Sequence, residues 1–137
     1  MENSWQPEVA IEELERPLRA IFNQTFELMA LMEPDGILIE INQTALDFAG
    51  LSGNDVLGLP LWEASWWQIS KATRAKIREA IATAASGELA ASKVDILGTG
   101  NTVATIDFTI RPIKNRSGRI ILLIFKGRDI SARQIAT

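Results

Sequence analysis

The feature that most restricts this chain is an unbroken apolar run near its end, Ile120-Ile-Leu-Leu-Ile-Phe125. Successive side chains of a strand point to opposite faces. A strand with one wet face would alternate, and this one does not, so it is expected to be covered on both sides. The run is too short for a stable helix and far too short to span a bilayer. Burying it contributes roughly 9–18 kcal/mol before conformational entropy is subtracted, which argues for a central strand. The run then gives way to Lys126-Gly-Arg-Asp-Ile-Ser-Ala-Arg133. A central strand that leaves a domain as a charged tail can connect the core to something outside it.

The rest of the chain limits what that core can do. Its 137 residues suffice for one domain with a real core. It contains neither cysteine nor histidine. Disulfides, thiolate chemistry and cysteine metal sites are thereby excluded, and the usual general base and the usual haem or zinc ligand are missing. The net charge of -3 argues against nucleic acid or anionic membrane as a main partner. No signal peptide or membrane-length apolar run is present, so a cytoplasmic location is expected, compatible with a membrane-associated parent.

Residues 1–25 read as a helical arm, with Val9, Ile11, Leu14, Leu18, Ile21 and Phe22 on one stripe and Pro17 as a kink. Phe26–Met32 reads as a strand, Phe26, Leu28, Ala30 and Met32 facing one way and Met29 and Leu31 the other. The Pro34-Asp35-Gly36 turn leads into its partner, Ile37–Ile41. Asn42 is placed to cap a short helix, Gln43–Ala49, which Gly50 ends. A capping box at Ser52–Asp55 follows, then an aromatic cover from Leu61 to Trp67. Ser70 is placed to cap the longest helix, Lys71–Ser86, whose inner stripe is Thr73, Ile77, Ala80, Ile81 and Ala84. Leu89–Leu97, Thr102–Pro112 and the opening run complete the strands.

Strands, then helices, then strands define an α+β plan, with helices on one face of a five-stranded antiparallel sheet. The opposite face would carry Met29, Leu31, Leu38, Leu122 and Ile124, with Asp107, Thr109 and Arg111 beside them in water. We expect the N-terminal arm, or a partner's arm, to cover that patch.

Over residues 20–133 this order resembles the PAS family of sensory domains. The similarity lies in Met32-Glu-Pro-Asp-Gly-Ile37 leading to Ile41-Asn-Gln-Thr-Ala45, in Asp55-Val-Leu-Gly58 and in Ala75-Lys-Ile-Arg-Glu-Ala-Ile81. It continues in Ile106-Asp-Phe-Thr-Ile-Arg-Pro112 and Gly127-Arg-Asp-Ile-Ser131. The Trp62…Trp66-Trp67 segment and the Gly-Arg-Asp-Ile-Ser ending look like PAS domains of bacterial sensor proteins, which often precede histidine kinase or diguanylate cyclase modules. The resemblance implies an arm over 1–25, a sensory domain over 26–131 and the start of an outgoing linker helix over 132–137. It also implies a homodimer formed through flanking helices, a downstream effector domain and no catalysis by this piece.

On the inner faces, Ala30, Met32, Ile39, Leu61, Trp62, Trp66, Ile77, Ile81, Ile106, Phe108, Ile110, Leu123 and Phe125 are the candidates to line a pocket. Such a lining suits an apolar or aromatic ligand. The alternative is that Trp62, Trp66 and Trp67 simply plug the core. Light-sensing relatives use a flavin–cysteine adduct, and Leu61 stands at the matching position. Haem-binding relatives commonly use histidine. The cysteinyl-flavin adduct and histidine-ligated haem are excluded by composition, whereas noncovalent flavin is not. No metal site is expected.

In the family, an acidic residue of an Asp-Ile-Thr/Ser motif joins the last strand to the outgoing helix. Here Asp129, Ile130 and Ser131 take those positions, with Arg111, Arg128 and Arg133 as candidate partners of Asp129. Leu14, Leu18, Ile21, Phe22, Met29, Leu31, Leu122 and Ile124 are the candidate arm and dimer contacts. The basic residues Lys71, Arg74, Lys76 and Arg78 read as a solvated helix face rather than a nucleic-acid surface. Two other functions fit less of the chain. One is a ligand-free dimerisation scaffold. The other is a small isomerase-like α+β enzyme, which needs a polar pocket that these inner faces lack.

Overall fold

The computed structural model describes residues 21–131, so Leu14, Leu18, Arg133 and most of both flanking segments lie outside the described residues. The strands are β1 (Leu28–Met32), β2 (Leu38–Ile41), β3 (Ala90–Leu97), β4 (Val103–Lys114) and β5 (Ile120–Asp129). They form one antiparallel sheet in the order β2-β1-β5-β4-β3. Helices α1 (Gln43–Ala49) and α2 (Lys71–Ala85), with short 3-10 turns at Gly53–Asp55, Leu61–Glu63 and Ser65–Trp67, make up the helical part.

The apolar run does sit in mid-sheet, hydrogen-bonded to β1 on one side and β4 on the other. Yet β5 does not stop where the sequence turns polar. Lys126, Gly127, Arg128 and Asp129 stay in the ladder opposite Thr109, Phe108, Asp107 and Ile106. The length of β4 sets the end of β5, because each backbone group that finds a partner there avoids an uncompensated loss of water.

Leu123 and Phe125 are buried on the inner face, while Leu122 is buried and Ile124 half-buried on the outer one. Near the start of β5, Ile113 pairs with Leu122 and Lys114 with Ile120, so Ile121 is skipped. The extra residue turns the strand, and Ile120 packs against the helical side of the core. The expected stripe of α2, from Thr73 to Ala84, is buried throughout.

Two expectations are corrected. Phe26 is 96% exposed and precedes β1, because residues 25–27 form a bend after a helical stretch at 21–24. Leu38 belongs to the core rather than to the outer patch, since it pairs with Met32 and both are buried in the same cluster.

Asn42 explains the bend. Its side chain is fully buried, and its amide nitrogen donates to the carbonyls of Phe22 and Glu27, both at 2.8 Å. Its Oδ1 accepts from the backbone N–H of Met29 at 3.0 Å and of Ala45 at 3.1 Å, the second being the N-cap of α1. One amide thus ties the incoming chain, β1 and α1 together.

Each edge strand makes hydrogen bonds outside the sheet. On β2, Leu38 N–H donates to Leu59 O and Leu38 O accepts from Gly58 N–H, each at 2.9 Å. On β3, Lys76 Nζ donates to Lys93 O at 3.1 Å, and the exposed strand carries the charges of Lys93 and Asp95.

Replacing Asn42 with alanine strands two carbonyls and two amides. The expected loss is about 2–4 kcal/mol in denaturant unfolding. Asn42→Asp keeps both acceptor bonds but sets a carboxylate against two carbonyls, so it is also expected to destabilise. A midpoint unchanged in both variants would remove Asn42 from this role.

Candidate functional site

The inner sheet face and the helices enclose an aromatic cup. Trp67 stands edge-on to Phe108 and Phe125, with centroids 6.2 and 5.8 Å away. The two phenyl rings stack at 5.4 Å. Beside Trp67 and Phe125 lies a cavity of about 20 Å³, bounded by apolar side chains alone. That is about the room one water needs, well below the several hundred cubic ångströms of an ordinary ligand site.

Of the pocket candidates, Ala30, Leu61, Trp66, Ile106 and Phe125 line this cavity. Met32, Ile77, Ile81, Phe108, Ile110 and Leu123 are buried in the surrounding core without reaching it. Ile39 is not brought into the cup. It is the residue skipped where the β1–β2 register shifts between Leu31 and Met32, and it is half-buried outside the core cluster. Trp62 is half-buried, with the Arg78 guanidinium 4.9 Å from its ring centroid. It closes over the hairpin turn, where a Cβ on Gly36 would lie 2.7 Å from Trp62 Cζ3.

Leu28, Ile41, Ala45, Trp67 and Ile96 also line the cavity. For Ile96 the signal was its apolar alternation with Val94 in β3. For Ala45, a small residue on α1, sequence offers none.

The two adjacent indoles differ. Trp66 Nε1 donates to the Ala45 carbonyl at 3.1 Å, whereas Trp67 Nε1 is buried without a hydrogen-bond partner. No cluster of three or more histidine, cysteine, aspartate or glutamate side chains suited to a metal occurs among the described residues.

The second part of the site is the exit from β5. Asp129 Oδ1 accepts from Ser131 N–H at 2.9 Å. Ile130 is buried, and its N–H donates to Thr105 O at 2.9 Å. Thr105 N–H donates back to Ser131 Oγ at 2.8 Å, and Thr105 Oγ1 donates to Asp95 Oδ1 at 2.6 Å. Thr105 therefore clasps the exit segment with both its backbone groups.

Arg111 does not join this cluster. It pairs with Ile124, whereas Asp129 pairs with Ile106, so the two lie well apart along the ladder. Arg128 faces Asp107 instead, at 3.9 Å. Sequence reading missed Thr105 because it looked like one more polar residue on the wet face of β4.

The outer face holds an open groove of about 500 Å³ whose walls include Met29, Ile124, Arg111 and the Lys126–Glu27 ion pair, 3.5 Å apart. Leu31 is half-buried on the same face. Ile21 is exposed and Phe22 half-buried at the start of the described chain.

An antiparallel sheet with its last strand central and helices on one face is the architecture of this domain. The chain belongs to the PAS fold family, whose model it matches over residues 22–135. It is 36% identical over 133 residues to the sensor histidine kinase TmoS of Ectopseudomonas mendocina, covering 94% of this chain and 14% of that protein. It is 28% identical over 128 residues to the hybrid signal transduction histidine kinase D of Dictyostelium discoideum, covering 92% of this chain and 8% of that protein. The PAS domain of BvgS from Bordetella pertussis shares the fold, with a TM-score of 0.68 at 20% identity over 92% of this chain and 93% of that one. The chain is thus a sensory signal-transduction domain, spanning a small part of the length of its curated relatives. No helix among the described residues is long and apolar enough to cross a membrane.

Gly36→Ala tests the lid. It forces a side chain onto a φ of +93° and into Trp62, so stability should fall by about 1–3 kcal/mol and Trp62 fluorescence should shift as its ring leaves the turn. An alanine variant with unchanged melting and emission would show that Trp62 does not rest there.

Proposed function

We propose that this PAS domain works as a cytoplasmic homodimer within a larger sensor, a histidine kinase being the favoured parent, and passes a signal through the exit of β5 to a downstream effector domain. The observation that carries this reading is the clasp at Thr105, which holds the Ile130 N–H and the Ser131 hydroxyl to β4 while Asp129 accepts from the Ser131 N–H. A change in the cup reaches that point directly, because Phe125 and Ile106 line the cavity while Ile106 pairs with Asp129. The input is read as a small apolar or aromatic molecule, in keeping with the lining. Flavin chemistry through a cysteine and haem ligation through a histidine are ruled out by composition, and a noncovalent ligand is the form retained.

A second reading, a ligand-free dimerisation scaffold, is favoured by one observation, the small size of the cavity. Native mass spectrometry of gently purified protein separates the two. A stoichiometric small molecule supports sensing, and a clean apo dimer supports scaffolding. In either case the outer face is the proposed contact, Met29, Leu31, Leu122 and Ile124 meeting the arm that carries Leu14 and Leu18.

Two outcomes are expected. In a full-length parent, Ser131→Ala should uncouple output from signal by about fivefold or more, the worth of one hydrogen bond, while Ser131→Thr, which keeps the hydroxyl, should not. Equal responses in both variants reject the relay. Ile124→Glu should convert the dimer to monomer in sedimentation at fixed concentration, and a persistent dimer would move the interface elsewhere.

A further inference from the structure

We propose that α1 is a lever that couples the incoming chain to the exit clasp, so that the domain takes a second input, from its N-terminal side, that needs no ligand. The inference rests on the clasp at Thr105 and adds a route into it. Three consecutive residues at the start of α1 hold the incoming segment. Asn42 Nδ2 donates to Phe22 O at 2.8 Å, Gln43 N–H to Asn23 Oδ1 at 2.9 Å, and Thr44 Oγ1 to Thr25 O at 2.6 Å. A turn or slide of the incoming segment strains all three bonds together, so α1 has to follow it.

The far end of α1 is seated as closely on the β3–β4 turn. Thr99 Oγ1 donates to the Phe48 carbonyl at 3.1 Å. Gly98 lies so near that a Cβ there would stand 2.8 Å from the Phe48 ring and 2.9 Å from its carbonyl oxygen. The turn is itself tightly bonded, with Gly98 N–H donating to Thr102 O at 2.7 Å and Thr102 N–H donating to Thr99 O at 3.1 Å. Strand β4 begins at Val103, and Thr105, which holds Ile130 and Ser131, follows two residues later. The seven residues of α1 rise by about 10 Å. One short rod and one tight turn thus join the entry of the domain to its exit. That is a contiguous set of bonded elements, the kind that carries coupling between sites.

The test removes one hydroxyl at each end of α1, by Thr44→Val and Thr99→Val, and follows amide hydrogen exchange in the full chain. The Thr105 N–H, which donates to Ser131 Oγ, reports on the clasp. Its rate is read relative to the Phe125 amide in mid-sheet, which removes any change in global stability. Each single substitution should speed exchange at Thr105 by about threefold, within the range set by one hydrogen bond. Thr44→Ser, which keeps the hydroxyl, should exchange as wild type does. The double variant should exchange at Thr105 no faster than Thr99→Val alone, because a rod detached at its far end passes nothing on from the near one. Thr44→Val without effect at Thr105, Thr44→Ser acting like the valine variant, or two effects that multiply in the double variant would each overturn the lever. The clasp is tested separately by Ser131→Ala, so loss of the lever leaves the relay at the exit standing.

Discussion

A strand bonded along both its edges is the constraint on which the rest of this domain depends. From Leu123 to Gly127, β5 is paired with β1 on one side and β4 on the other, and Leu123 and Phe125 are buried in the core. The strand can therefore shift little without breaking ladders on both sides. A disturbance at Phe125 is carried along a stiff element to Asp129 rather than dissipated in a loop. Phe125 in the cup and Asp129 at the exit lie on the same strand.

Two polar devices hold that strand's surroundings in place. At the entry, the Asn42 amide satisfies all four of its hydrogen bonds with backbone, so the incoming chain, β1 and α1 meet at a defined angle. At the exit, Thr105 does the equivalent with its backbone and passes a further bond to Asp95 on β3. The Asn42 network is buried and is stable only when complete, which makes that residue sensitive to substitution.

The fold was largely legible in the sequence because its signals were local. The Pro34-Asp35-Gly36 turn, the caps at Asn42 and Ser70, and the stripe of α2 each depend on residues within a few positions of one another. What sequence missed depended on distant partners. Phe26 looked like a strand residue, and a side chain on the far side of a hairpin turned it outward. The polar end of β5 looked like a tail, and the reach of β4 kept it in the sheet. Arg111 looked like a partner for Asp129, and register set them apart. The cup was legible as a list of apolar residues but not as a volume. Whether such residues leave room or fill it depends on how Trp67, Phe108 and Phe125 interlock.

The bonds at the margins of the sheet have a consequence for how copies can meet. A bare strand edge is a template on which another chain can add, and repeated addition has no natural end. Here the loop at Gly58–Leu59 saturates Leu38 on one margin, and a lysine reaches over Lys93 on the other, between charges that resist a flat neighbour. Both features oppose strand addition at the edges of this sheet. A copy of the domain that approaches β2 meets a strand whose edge is already bonded, and one that approaches β3 meets charged side chains.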